Sequence, residues 1–111
     1  MPRATLAPAD APPQPDIAAV LKALADPVRM EIVQALAGGE RCVCDLTETL
    51  GLAQSRLSFH LKVMRLAGLI SAREESRWVY YRLEPEALRV LQRWLGGLET
   101  LCATSAEPCP S

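Results

Sequence analysis

One histidine, His60, stands in a chain of 111 residues. Chemistry that needs two imidazoles on one chain is therefore excluded. Strand formers are scarce: Val and Ile together number 10, against 16 Ala and 17 Leu. Ala and Leu favour helix, so a mainly helical fold is expected and an all-β sandwich is not. No apolar run approaches the roughly 18 residues of a membrane span. Residues 1–15 contain no apolar stretch of the kind that directs secretion, so the expected setting is the cytoplasm, where thiols stay reduced. There is no Cys-x-x-Cys beside a strand–helix–strand pattern, no glycine-rich phosphate loop, and no candidate general base beyond His60. A thiol redox enzyme thus lacks its usual residues, and no catalytic activity or catalytic cofactor is expected. An excess of charge is missing too: 12 Lys and Arg face 13 Asp and Glu, a net of -1. Taken over the whole chain, that balance gives nucleic acid no obvious footprint.

What is present is a punctuated series of short elements. Residues 1–16 hold Pro2, Pro8, Pro12, Pro13 and Pro15 and read as a flexible tail. Residues 103–111 read as a second, Cys-containing tail, leaving 17–102 as one small domain. A chain of this size often gains stability by dimerising. Residues 17–25 carry Ile17, Val20, Leu21 and Leu24 on one helical stripe. Asp26-Pro27 then caps and opens a second helix bearing Val28, Ile32, Val33 and Leu36, which ends at Gly38-Gly39. A third helix is expected from about Cys42 to Leu50. Gly51 to Ala53 separate it from a fourth, residues 54–67, with Leu57, Leu61 and Met64 inward. The period then changes. Residues 69–74 and 78–83 read as two strands of a hairpin turning at Glu75, Ser76 and Arg77. A last helix runs from Pro85 to about Cys102. Its Leu88, Leu91, Leu95, Leu98 and Cys102 recur at coiled-coil spacing.

Two helices joined by a short glycine turn and followed by a hairpin make a winged helix-turn-helix. In that arrangement the second helix of the pair enters the DNA major groove. Its outward residues here are Gln54, Ser55, Arg56, Ser58 and Phe59, followed by Lys62. Gln suits adenine, Arg suits guanine, and Ser accepts several partners. His60, one step round from Leu61, is either a partly buried hydrogen-bonding residue or a donor to phosphate. Residues 52–82 contain six basic and two acidic residues, while the remainder has six basic and eleven acidic. The whole-chain charge thus hides a positive segment fit to meet phosphates. Arg77 at the hairpin tip extends it. A protein–protein module built on the same fold would have no use for that segregation.

Residues 21–83 resemble the ArsR/SmtB family of metalloregulatory repressors. The resemblance rests on Leu24-Ala-Asp-Pro-Val-Arg-Met-Glu-Ile, Cys42-Val-Cys-Asp-Leu, Gln54-Ser55, Ser58-Phe59-His60-Leu61-Lys62, Ala67-Gly68-Leu69, and Arg77-Trp78-Val79-Tyr80-Tyr81-Arg82-Leu83. It implies a homodimer joined through the first and last helices, bound to an inverted-repeat operator in double-stranded DNA and released by an inducer. Leu21, Leu88, Leu91, Leu95 and Leu98 suit that dimer contact.

The Cys42-Val43-Cys44-Asp45-Leu46 run resembles the arsenite-responsive branch, in which two thiolates at this place ligate As(III) or Sb(III). Soft thiolates select soft ions, and one His makes a poor match to the branch that binds zinc through paired His and Asp. Residues two apart on a regular helix point about 200° apart. One atom can therefore bridge both sulfurs only where the helix start is unwound or extended. Arsenite repressors of this type often place a third Cys after the Leu, where this chain has Thr47. Cys102 or Cys109 is then a candidate third ligand, from either subunit. Residues 103–109 span roughly 23 Å at full stretch. An exogenous ligand, or an organoarsenical needing two thiolates, are the other solutions. Cd, Pb or Zn, or thiol oxidation, are alternative signals for the same fold.

Overall fold

The computed structural model describes residues 15–110. Its elements in chain order are α1 (Ile17–Leu24), α2 (Pro27–Leu36), β1 (Arg41–Cys42), α3 (Val43–Leu50), α4 (Gln54–Leu66), β2 (Ile70–Glu75), β3 (Trp78–Leu83) and α5 (Pro85–Leu101). The expected N-terminal tail falls outside the described residues except for positions 15 and 16. Residues 103–110 form no helix or strand and are exposed. No described helix is long and apolar enough to cross a membrane.

Local chemistry explains the helix boundaries. The Asp16 carboxylate accepts from the Ala19 amide at 3.2 Å and starts α1. Asp26 does the same for α2, accepting from the amides of Val28 and Arg29 at 2.8 and 3.2 Å, with Pro27 in the first turn. Both satisfy amides that a helix start leaves unpaired. Gly51, at φ +66°, closes α3 with its amide on the Thr47 carbonyl at 2.9 Å. That left-handed conformation favours glycine.

Each helix contributes an inner stripe to one core. Val20 and Ala23 come from α1, Ile32 and Leu36 from α2, and Leu46 from α3. Leu57, Leu61 and Met64 of α4 lie at its centre, closed by Leu69, Ile70 and Ala87. The inner stripe of α4 expected from the 3.6-residue period is thus fully part of the interior.

The hairpin is part of a three-stranded antiparallel sheet of order β1-β3-β2. Ile70 pairs with Leu83 and Glu75 with Trp78, leaving Ser76 and Arg77 as the two-residue turn. The third strand departs from the sequence expectation. Arg41 pairs with Tyr81 and Cys42 with Tyr80, so Cys42 belongs to a strand and α3 begins one residue later. Two residues are too few for an alternating pattern to register. The edge of β3 recruits them because its unpaired backbone groups need partners.

α5 is apolar well beyond what its own chain covers. It packs chiefly on α1. Ala87 is buried, and Leu88 and Leu91 are partly buried. Every described residue from 92 onward is exposed: Trp94, Leu95, Leu98 and Leu101 keep 42–70 % of their surface open. The spacing expected of a dimer seam is present, and its C-terminal half stays largely uncovered by the described residues.

Ser76 holds φ +61° in the wing turn, a region that costs a side-chain-bearing residue free energy. Ser76→Gly is expected to raise unfolding free energy by about 0.5–1 kcal/mol, measured by urea denaturation with an unchanged m-value.

Candidate nucleic-acid interface and thiol pair

α4 presents its polar side to solvent because Leu57, Leu61 and Met64 fix the opposite side in the core. Gln54, Ser55, Arg56, Ser58, Phe59 and Lys62 are all exposed, as is Arg77 at the wing tip. The Arg77 guanidinium lies over the Trp78 ring at 5.7 Å, a cation–π contact that steadies it. Seven of the eight residues expected to face DNA therefore lie on the surface of the helix and wing.

His60 is the eighth, and it points inward. Only 6 % of its surface is exposed. Its Nδ1 lies 3.1 Å from Arg29 Nη1. A guanidinium has only donors, so Nδ1 accepts and the ring proton sits on Nε2. Of the two readings open for His60, the buried hydrogen-bonding residue matches the structure. Its outward placement is corrected: position 60 lies beside Leu61 and Leu57 on the core side of α4.

Arg29 was not singled out by the sequence, although it sits inside the Asp26-Pro27-Val28-Arg29 stretch. Besides His60, it donates from Nε to the Ala23 carbonyl at 2.6 Å and from Nη2 to the Lys22 carbonyl at 3.3 Å. One side chain thus satisfies two C-terminal carbonyls of α1 and is joined to α4 through His60. Asp26 holds the base of the same joint, and the amide of Arg29, followed by that of Val28, holds its carboxyl below the ordinary pKa.

The positive segment is narrower than its residue count. Arg73 donates to both carboxylate oxygens of Glu40, at 2.8 and 2.9 Å, and to Glu75 at 2.5 Å, with Tyr80 under its charge. Its hydrogen bond holds the Glu40 carboxyl below its ordinary pKa. Arg82 faces Glu84 at 3.5 Å. Arg56, Lys62, Arg65 and Arg77 make no ion pair among the described residues. Those four lie on α4 and at the wing tip, so the unneutralised charge coincides with the outward face of the recognition helix.

Cys42 is partly buried and Cys44, Cys102 and Cys109 are exposed, all as free thiols. Cys42 is extended, at φ -85° and ψ 165°, and precedes α3 without donating or accepting a cap bond. Cys44 lies in the first turn of that helix, where its carbonyl accepts from the Thr47 hydroxyl at 2.8 Å. An extended first member removes the helical constraint that would splay residues two apart. Among the described residues no three His, Cys, Asp or Glu side chains converge as a metal centre. Cys102 ends α5, its thiol on the Glu99 carbonyl at 3.2 Å.

The description "bacterial regulatory protein, arsR family" matches residues 26–72. The chain is 42% identical over 80 residues to the arsenic resistance transcriptional regulator ArsR1 of Pseudomonas putida, a match covering 71% of this chain and 62% of that protein. It is 46% identical over 71 residues to the arsenical resistance operon repressor of Bacillus subtilis, covering 63% of this chain and 68% of that one. The chain thus spans about three fifths of the first relative and two thirds of the second. Among solved structures it is similar to a homodimeric winged helix-turn-helix DNA-binding domain from Mycobacterium bovis, with TM-score 0.63, 30% identity and coverage of 83% and 87% of the two chains.

Two outcomes test the joint. His60→Ala leaves a partly buried Arg29 donor unpartnered and opens a cavity where the buried ring was, and should cost about 1–3 kcal/mol by chemical denaturation. Asp26 has a folded pKa below its unfolded one. Its contribution is full at neutral pH and fades as the pH falls through the carboxylate range. Asp26→Asn, which keeps an acceptor without the charge, should therefore show a shallower acid loss of thermal midpoint than the wild type.

Proposed function

The chain belongs to the arsR family of bacterial regulatory proteins, and from that membership we propose that it is a homodimeric transcriptional repressor, released from an inverted-repeat DNA operator when As(III) or Sb(III) binds Cys42 and Cys44. The observation that carries the reading is the position of Cys42. It is simultaneously a strand partner of Tyr80 in the wing sheet and the residue that opens the helix-turn-helix.

DNA engagement rests on the exposed face of α4 and on Arg77. Gln54, Ser55, Arg56, Ser58 and Phe59 meet base edges, and Lys62 with Arg65 meets phosphate. Dimerisation accounts for the apolar half of α5. Trp94, Leu95, Leu98 and Leu101 form an exposed apolar stripe, and a second copy offers the same stripe in return. Leu21 is half-buried on α1, the helix against which α5 packs. Such a dimer presents two recognition helices to half-sites about one helical turn or more apart.

Release follows from how the thiol pair is attached. When bound, the ion supplies bonds to two soft thiolates and draws them toward one point. Cys42 cannot move without straining its pairing to β3. The preceding Glu40 is tied to Arg73 of β2 by two charge-assisted bonds. Cys44 cannot move without turning α3, which packs on α4. The pull therefore reaches the wing and the recognition helix together, and linkage requires DNA to weaken inducer binding by the same factor. Cys102 or Cys109, from either subunit, or an exogenous ligand, completes a third bond where the inducer needs one. An organoarsenical needs none. The protein works in the cytoplasm, where its thiols remain reduced.

The test is a gel shift on the DNA upstream of the protein's own gene, with the reduced chain titrated by As(III), Sb(III), methylated As(III), Cd and Zn. Wild type is expected to bind as a dimer and to leave on As(III) addition. Cys42→Ser and Cys44→Ser should bind equally well and remain bound at inducer levels that clear the wild type. Release of the doubly substituted protein by As(III) would refute the sensing role. Release of the wild type by Cd or Zn alone would reassign the signal.

A further inference from the structure

The outermost line of α4 carries a residue that its own fold does not explain. Ser55, Phe59, Lys62 and Leu66 follow one another at spacings of four, three and four, on the side opposite the buried Leu57, Leu61 and Met64. Phe59 is the only phenylalanine in the chain. It keeps 60 % of its surface exposed among Ser55, Ser58, Arg56 and Lys62, all polar and all exposed. It adds nothing to the core. Its ring meets that of His60 edge-on at 5.3 Å, and His60 is itself held by Arg29. The exposed ring therefore projects from a neighbour that cannot readily turn.

We infer that Phe59 reads the 5-methyl group of a thymine in each half-site, and that this apolar contact sets part of the operator sequence. The inference rests on the DNA-binding reading above. The physical reason is one of chemical supply. A phenyl ring can neither donate nor accept a conventional hydrogen bond. Of the groups displayed on the major-groove floor by unmodified DNA, the thymine methyl is the apolar one. A ring on the line of α4 farthest from the core loses its water when the helix docks. Against a methyl group that burial is favourable, whereas against a polar base edge it leaves donors and acceptors unpaired. Ser55 and Lys62, one turn to either side, supply polar contacts that fix the register.

The experiment begins with duplexes selected by the full-length protein from a random-sequence pool, and measures anisotropy at fixed salt. In the best selected duplex each thymine is replaced in turn, symmetrically, by deoxyuridine, which removes the methyl and keeps the base pair. Wild type is expected to lose affinity at one thymine position per half-site, about four-fold for each methyl and so about fifteen-fold for the symmetric duplex. Phe59→Ala should bind thymine and uracil duplexes equally, with an unchanged slope of log Kd on log salt because no phosphate contact is lost. Phe59→Leu, still apolar, should keep part of the preference and guards against a folding defect in the alanine variant. Indifference of the wild type to every replacement would overturn the inference while leaving DNA binding intact. So would a Phe59→Ala protein that still discriminates. Failure of the pool to yield any enriched duplex would instead refute the DNA-binding reading, and this one with it.

Discussion

The guanidinium of Arg29 is the constraint on which the arrangement of the helices depends. It bonds two carbonyls at the end of α1 and the imidazole buried under α4. Its own helix starts three residues earlier on the Asp26 carboxylate. Hydrogen bonds from a charged donor contribute about 1.5–3 kcal/mol where they are sheltered from water, and the bonds to His60 and to the Ala23 carbonyl are both partly buried. Three elements with different tasks are thereby fixed at one point. α1 lies against α5, the helix with the uncovered apolar face, α2 carries the joint, and α4 carries the outward polar stripe. A displacement of any one of them is felt at the other two, because the planar fork of an arginine tolerates little change in the directions of its bonds.

The sheet distributes its charges to a second purpose. Arg73 and Arg82 lie within the positive segment, yet both are spent on Glu40, Glu75 and Glu84. Exposed ion pairs of this kind add little to stability. Here the bidentate pair spans from β2 to the residue before β1, alongside the Arg41–Tyr81 and Cys42–Tyr80 pairing. The result is a two-residue edge strand paired to β3, with the residue before it joined to β2, that leads into the helix-turn-helix. The charge left over belongs to α4 and the wing tip, which is where a polyanion would be met.

Much of this was legible from residue order. The aspartates at 16 and 26, Pro27 and Gly51 announce helix limits through chemistry that acts within a few residues. The stripe Leu57-Leu61-Met64 announces which side of α4 is buried. The hairpin follows from a change of period at Leu69, and the α5 seam from leucines at three- and four-residue spacing. The misreadings share a different character. β1 has no periodicity to detect, because a two-residue strand exists only by pairing with β3. His60 could be assigned to either side of α4, since it lies at the edge of the inner stripe. Its burial depended on a partner 31 residues away. Arg73 and Arg82 counted as phosphate-facing charge until the fold brought carboxylates beside them.

The sequence by itself determined the class of the fold, the buried side of α4, the outward residues at its start, and the placing of two thiols separated by one residue where α3 begins. Local backbone chemistry and helical period are written in neighbouring residues, so they need no knowledge of the rest. Only the tertiary structure decided that Cys42 lies in the sheet, that His60 faces Arg29, which arginines remain unneutralised, and how much of α5 stays uncovered. Each of those depends on contacts between residues distant in the chain, whose energies arise only when the helices and the sheet pack together.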